Sequence, residues 1–277
     1  MQKTAALLLS GAMLAMAIPT MLQAEVAPAN PVSAASAGPA QPAKIADQPN
    51  ISGVWEIYPD PFGDGGDDQT AFIELPVPGD GPKLKEPWAS TWKKLRADRD
   101  AALKAGKPKL DPSVQCLPEG MPMIMGAIFP LEILQTPGRV TVLGEFLTQT
   151  RRIYLDRPMP KIDDLNPNFY GFSSGHWEGT TLVVTTKGVK ESVEFFEIPH
   201  SAKMTITERI RMTGADLMED AITIEDPERL VEPYRFTYGY KRNPNYDIQE
   251  YFCDREDPLL KVDANGNYEM KTGDEVK

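Results

Sequence analysis

Beyond about residue 130 the chain alternates apolar and polar side chains in short runs, with turn-forming residues in most of the gaps. The runs predict strands at 131–136, 139–146, 151–156, 174–178, 181–186, 202–212, 217–225, 234–242 and 247–253, with Pro137-Gly138 as a turn after the first of them. An earlier strand is predicted at 51–56. Short strands rich in β-branched residues and separated by turn signals specify an all-β, mainly antiparallel barrel or sandwich. One segment breaks the pattern. Trp88, Trp92, Leu95 and Leu103 recur at helical spacing, with Lys93, Lys94, Arg96 and Arg99 around them. Pro87 suits a first helical turn, and Gly106 then Pro108 supply a stop. An amphipathic helix near residues 87–105 is expected, with its aromatic edge packed on the fold.

Two strands have informative faces. Over 202–212, Ala202, Met204, Ile206, Ile210 and Met212 share one face with Glu208. A bare buried carboxylate costs several kcal/mol, so Glu208 requires a partner or a proton. An internal salt bridge, for instance to Arg151 or Arg152, is the plainer solution; a raised-pKa acid in a cavity is the sharper one. In 175–184, Gly179-Thr180 reads as a two-residue type II′ turn, with glycine supplying the positive φ. Pairing Glu178 with Thr181 then puts Trp177, Leu182 and Val184 on the core face. His176, Glu178, Thr181 and Val183 fall on the other face. That face is first of all a polar outer wall, and otherwise a general-base couple or half of a metal site.

The N-terminus reads as an address. Lys3 precedes an apolar run from Ala5 to Ile18, and Leu22-Gln23-Ala24 resembles a cleavage site, so residues 1–24 are expected to be a signal peptide. The run is shorter than the roughly 20 residues a spanning helix needs. No later stretch is long and apolar enough to cross a membrane. Residues 25–49 are mostly Ala, Pro and Ser and predict a flexible linker. Residues 50–277 are expected to form one domain of a soluble, exported protein, periplasmic or secreted from a bacterium.

Composition narrows the chemistry. With 40 acidic against 29 basic residues and a net charge of −11, the chain lacks the basic footprint of a nucleic-acid binder. Two histidines exclude an all-His metal site, and two cysteines without a CxxC spacing exclude a thiolate zinc knuckle. In an exported protein Cys116 and Cys253 read as one structural disulfide, with a reactive free thiol as the alternative. Nothing resembles a G-x-S-x-G elbow, a phosphate loop or H-E-x-x-H.

Motifs spread along the chain carry a resemblance. GHWEGTTLVVTT from Gly175 resembles the signature of a large family of exported, mostly uncharacterised bacterial proteins. GVW from Gly53, CLPEGMP from Cys116, EILQTPGRVTVLGE from Glu132, RRIYLD from Arg151, IPHS from Ile198, TERIR from Thr207, IEDP from Ile224 and EYFC from Glu250 follow in the same order. The family usually has Asp where this chain has Thr180, and commonly Gly where it has Arg157; both departures lie in turns. The resemblance implies a lipocalin- or calycin-like barrel, in which Trp55 of Gly53-Val54-Trp55 closes the base. It also favours pairing Cys116 with Cys253. It brings no reaction, and fold alone does not set function.

Three functions follow, in this order. The first is a barrel that binds a small, largely apolar organic molecule in its cavity. Candidate ligand contacts are Glu145, Arg152, Asp156 and Trp177. Met121, Met123 and Met125 read first as core lining, then as adaptable surface near the mouth or as a copper site. The second is an acid–base enzyme, a hydrolase or a lyase/isomerase, with His176, Glu178, His200 and Glu208 as candidate catalytic residues. A metal held by His176, Glu178 and His200 is a variant of it, while the cofactor is unknown. Ser201 beside His200 is a weaker nucleophile candidate. The third is a cell-envelope interaction protein.

Overall fold

The computed structural model describes residues 48–59, 77–105, 116–126, 128–253, 260–262 and 268–270. The expected signal peptide, nearly all of the expected linker, and the helix stop at Gly106 and Pro108 lie outside them. The chain divides into two units, Met1–Ala40 and Gln41–Lys277, and every described residue belongs to the second.

Nine strands close into a barrel in sequence order: β1 Gly53–Ile57, β2 Leu131–Thr136, β3 Arg139–Gly144, β4 Gln149–Leu155, β5 Phe172–Glu178, β6 Thr181–Lys187, β7 Thr205–Met212, β8 Leu217–Glu225 and β9 Tyr234–Arg242. The ring closes where Trp55 of β1 pairs with Arg242 of β9. An odd number of strands cannot alternate direction all the way round a ring. The mismatch falls between β4 and β5, which run parallel with Ile153 opposite Ser173. A parallel neighbour needs a long crossover, and the connection 156–171 supplies it. A separate two-stranded sheet pairs β10, Leu260–Val262, with β11, Tyr268–Met270.

The expected all-β barrel is therefore present. The nine barrel strands start and end within three residues of their expected limits, while β10 and β11 were not expected. Two expectations fail. Residues 202–204 form a turn ahead of β7. The strand expected at 247–253 is absent, since that segment spends its polar groups on the barrel rim instead of a ladder. There, Tyr246 Oη and the Gln249 N–H both donate to Glu145 Oε2, at 2.8 and 2.9 Å. Thr148 Oγ1 donates to the Tyr251 carbonyl at 2.9 Å. Tyr251 packs edge-on against Phe129 and Phe146, and the Cys116–Cys253 disulfide ends the strap.

Alternation puts Trp55, Ile133, Val142, Ile153, Leu182, Val184, Ile206, Ile210, Ile222 and Tyr240 inside, all essentially fully buried. Trp55 Nε1 donates to the Ile51 carbonyl at 3.0 Å, and the Arg242 guanidinium lies 4.3 Å above its ring. A 3₁₀ turn at Met123–Gly126 inserts into this core, with Met121, Ile124 and Met125 fully buried. The buried Tyr240 hydroxyl donates to the Met125 carbonyl at 2.6 Å. A glycine is required at the end of this turn, because a Cβ on Gly126 would collide with the Tyr238 ring. The core-lining reading of Met121 and Met125 is the one that the burial supports.

The helix α1 spans Trp88–Lys104. Trp88 and Trp92 pack on the core, as the aromatic edge predicted, but Leu95 is 40% exposed. Ion pairs hold the helix in place of that leucine: Arg96 and Arg99 meet Glu197 at 3.2 and 3.3 Å, and Trp92 Nε1 donates to the Phe196 carbonyl. Arg229 lies 3.9 Å over the Trp88 ring.

Candidate functional site

The polar groups inside the barrel converge on β4, β7 and β8. Arg151, Glu208 and Asp220 are fully buried among the aliphatic side chains of the interior. Inward-facing positions two apart on a strand stack along the barrel, which brings Arg151 of β4 across to Glu208 of β7. Arg151 Nη1 donates to Glu208 Oε1 at 2.7 Å, and Nη2 donates to Glu208 Oε2. This two-point ion pair is the partner that the position of Glu208 demanded. Arg151 Nη2 also donates to Thr186 Oγ1 at 3.2 Å and Ser173 Oγ at 3.4 Å, and those hydroxyls meet at 2.7 Å.

Asp220 was not singled out from the sequence. It lies in the expected strand Leu217–Glu225, and alternation with Met218 and Ile222 places it inside; reading that face of β8 would have found it. Burial, followed by the charge of Glu208, holds its carboxyl well above the ordinary value of 3.8. Neither Asp220 oxygen meets a hydrogen-bond donor among the described residues, so a charge there would be uncompensated. Arg151 Nε and Trp177 Nε1 are further buried polar atoms without a partner. Burial also pushes the Tyr238 and Tyr240 hydroxyls up, so both remain neutral donors over the ordinary pH range.

The remaining candidates are scattered. His176 and Glu178 lie on the outer wall, where His176 Nε2 and Glu178 Oε1 are 3.2 Å apart and Arg209 Nη2 donates to Glu178 Oε2 at 3.0 Å. The His176 hydrogen bond, then Arg209, holds the Glu178 carboxyl below its usual range. The turn beside them has Gly179 at φ +58°, at the position where a type II′ turn needs it. His200 is buried in the loop between β6 and β7, with Nε2 at 2.9 Å from the Val193 carbonyl and Nδ1 facing the Ser201 carbonyl. Neither ring nitrogen faces a glutamate. The Ser201 hydroxyl donates to Asp226 Oδ1 at 2.8 Å, away from His200 Nε2. Glu145 is the acceptor for the strap after β9. Arg152 is exposed on the outer face of β4, and Asp156 is exposed at the start of the crossover. Trp177 packs against the core with its indole N–H enclosed.

Among the described residues no group of three or more His, Cys, Asp or Glu is arranged to hold a metal ion. Nor is any helix among them long and apolar enough to cross a membrane. What the fold defines is a closed barrel, mainly apolar inside, with a buried ion pair and a further buried carboxyl beside it. No protein-family model matches the chain, and no curated protein matches it.

Proposed function

We propose that the protein is an exported binding barrel of the family its motifs resemble, and that it takes a small, largely apolar organic molecule into its interior. One observation carries this reading. Both Asp220 oxygens, Arg151 Nε and Trp177 Nε1 are buried polar atoms without partners in a mainly apolar interior. Such groups each cost about 1–3 kcal/mol unless water or a ligand supplies the missing bond. An apolar enclosure with a few unpaired polar groups is the usual construction of a small-molecule site. The outer wall, with His176, Glu178, Arg209, Arg211 and Glu219, is charged. That pattern is the reverse of a membrane-spanning barrel and suits a water-facing one. The disulfide accords with export to an oxidising compartment.

The test uses N-phenyl-1-naphthylamine, a neutral apolar fluorophore. Titrated into the protein, it should show saturable, single-site enhancement, with energy transfer from tryptophan excitation. Linear, non-saturating uptake, or none, would rule the reading out.

A further inference from the structure

Resting on that binding reading, we infer that the barrel selects ligands whose buried polar end is an uncharged hydroxyl, seated on Asp220, and discriminates against carboxylates. Arg151 is matched by Glu208 through two hydrogen bonds, and Ser173 and Thr186 fill the remaining acceptor positions around its Nη2. Among the described residues no further buried cation is left inside the barrel for an anionic ligand. A second carboxylate brought beside Glu208 and Asp220 would be an uncompensated buried charge, which costs several kcal/mol.

No donor among the described residues reaches either Asp220 oxygen, so whatever its protonation the carboxyl has at least one oxygen left that can only accept. The ligand group must therefore donate. An ether, ketone or ester cannot, and a carboxylate cannot. A hydroxyl can, and its own lone pairs remain free for an N–H. Two unpartnered N–H groups, Arg151 Nε and Trp177 Nε1, are present in the same interior. The row Trp177–Leu182–Ile210–Asp220–Tyr238 runs in register across β5 to β9, so apolar side chains separate the polar points, as an amphiphilic ligand requires.

The test compares three molecules with one carbon chain: 1-decanol, decyl methyl ether and decanoate, each displacing N-phenyl-1-naphthylamine at about pH 8. Decanol should bind about tenfold more tightly than the ether, the worth of one buried hydrogen bond, and decanoate should bind more weakly than both. Asp220→Leu should bring the decanol-to-ether ratio to about one, for the same lost bond. Asp220→Asn, whose amide can donate to Glu208 and keep a free carbonyl oxygen, should restore the preference. Decanoate binding as well as decanol, or a decanol preference that survives in Asp220→Leu, would overturn the inference and leave the binding barrel standing. Failure of the fluorophore and of all three chains would instead remove the binding reading itself. The wild-type series decides the matter even if Asp220→Leu does not fold.

Discussion

Arg151 and Glu208 show how a single residue pattern propagates inward. A glutamate on the apolar face of β7 is affordable only with a cation at bonding distance, and the inward face of β4 provides one. Removing either partner alone leaves an uncompensated charge, a loss of about 3–5 kcal/mol in comparable sites. Asp220 next to this pair makes stability depend on pH. Its folded pKa is raised above the unfolded value of about 3.8, so the folded state holds a proton that the unfolded chain has released. That contribution is fully present below the unfolded value and is lost as pH rises toward the folded one. Stability should therefore fall with rising pH from about 4 upward, by up to about 1.4 kcal/mol per pH unit within that window. Asp220→Asn should flatten the slope and gain on the wild type as pH rises. Urea denaturation across that range measures it; parallel pH profiles for the two proteins would show that Asp220 is not the proton holder.

At the scale of elements, the turn Met123–Gly126 and the strap 243–253 determine how the barrel interior is covered. The wall is closed by nine strands, so the proposed ligand would enter through an end of the barrel. The inserted turn is tied down by the Tyr240 hydroxyl on the Met125 carbonyl and by the close seat of Gly126 on Tyr238. Tyr240→Phe should cost about 1 kcal/mol of stability by removing that bond, and should speed association of N-phenyl-1-naphthylamine. Stopped-flow fluorescence reads the rate; an unchanged rate would place the entry route elsewhere. Both elements escaped a reading from pattern alone. The turn has no periodicity, and the strap alternates like a strand while its polar groups bond to Glu145 and Thr148.

Across the whole molecule, the disulfide joins Cys116, ahead of the barrel's second strand, to Cys253, beyond its last, at a sequence separation of 137. A loop of that length costs the unfolded chain enough entropy for the bond to contribute about 4–5 kcal/mol in the chain-entropy model. Replacing both cysteines by serine should lower the urea midpoint by a corresponding amount and steepen the denaturation slope, because the released unfolded chain exposes more surface. A midpoint shift equivalent to less than about 1 kcal/mol would mean that the strap is held by Glu145 and the aromatic cluster instead.

Strand alternation made most of the barrel legible in advance, because a period of two with turn residues at the boundaries has few other solutions. The demand for a partner at Glu208, the outer-wall position of His176 and Glu178, and the turn at Gly179 were legible for the same reason: each depends on local periodicity. Pairings across the barrel were not. Which arginine meets Glu208, that Asp220 is buried beside them with its pKa raised, and that His200 faces backbone carbonyls all depend on strands distant in sequence being curled into one ring. Local pattern assigns each side chain to the inside or the outside. Closure of the ring decides which inward groups meet, and their mutual burial then sets their charge.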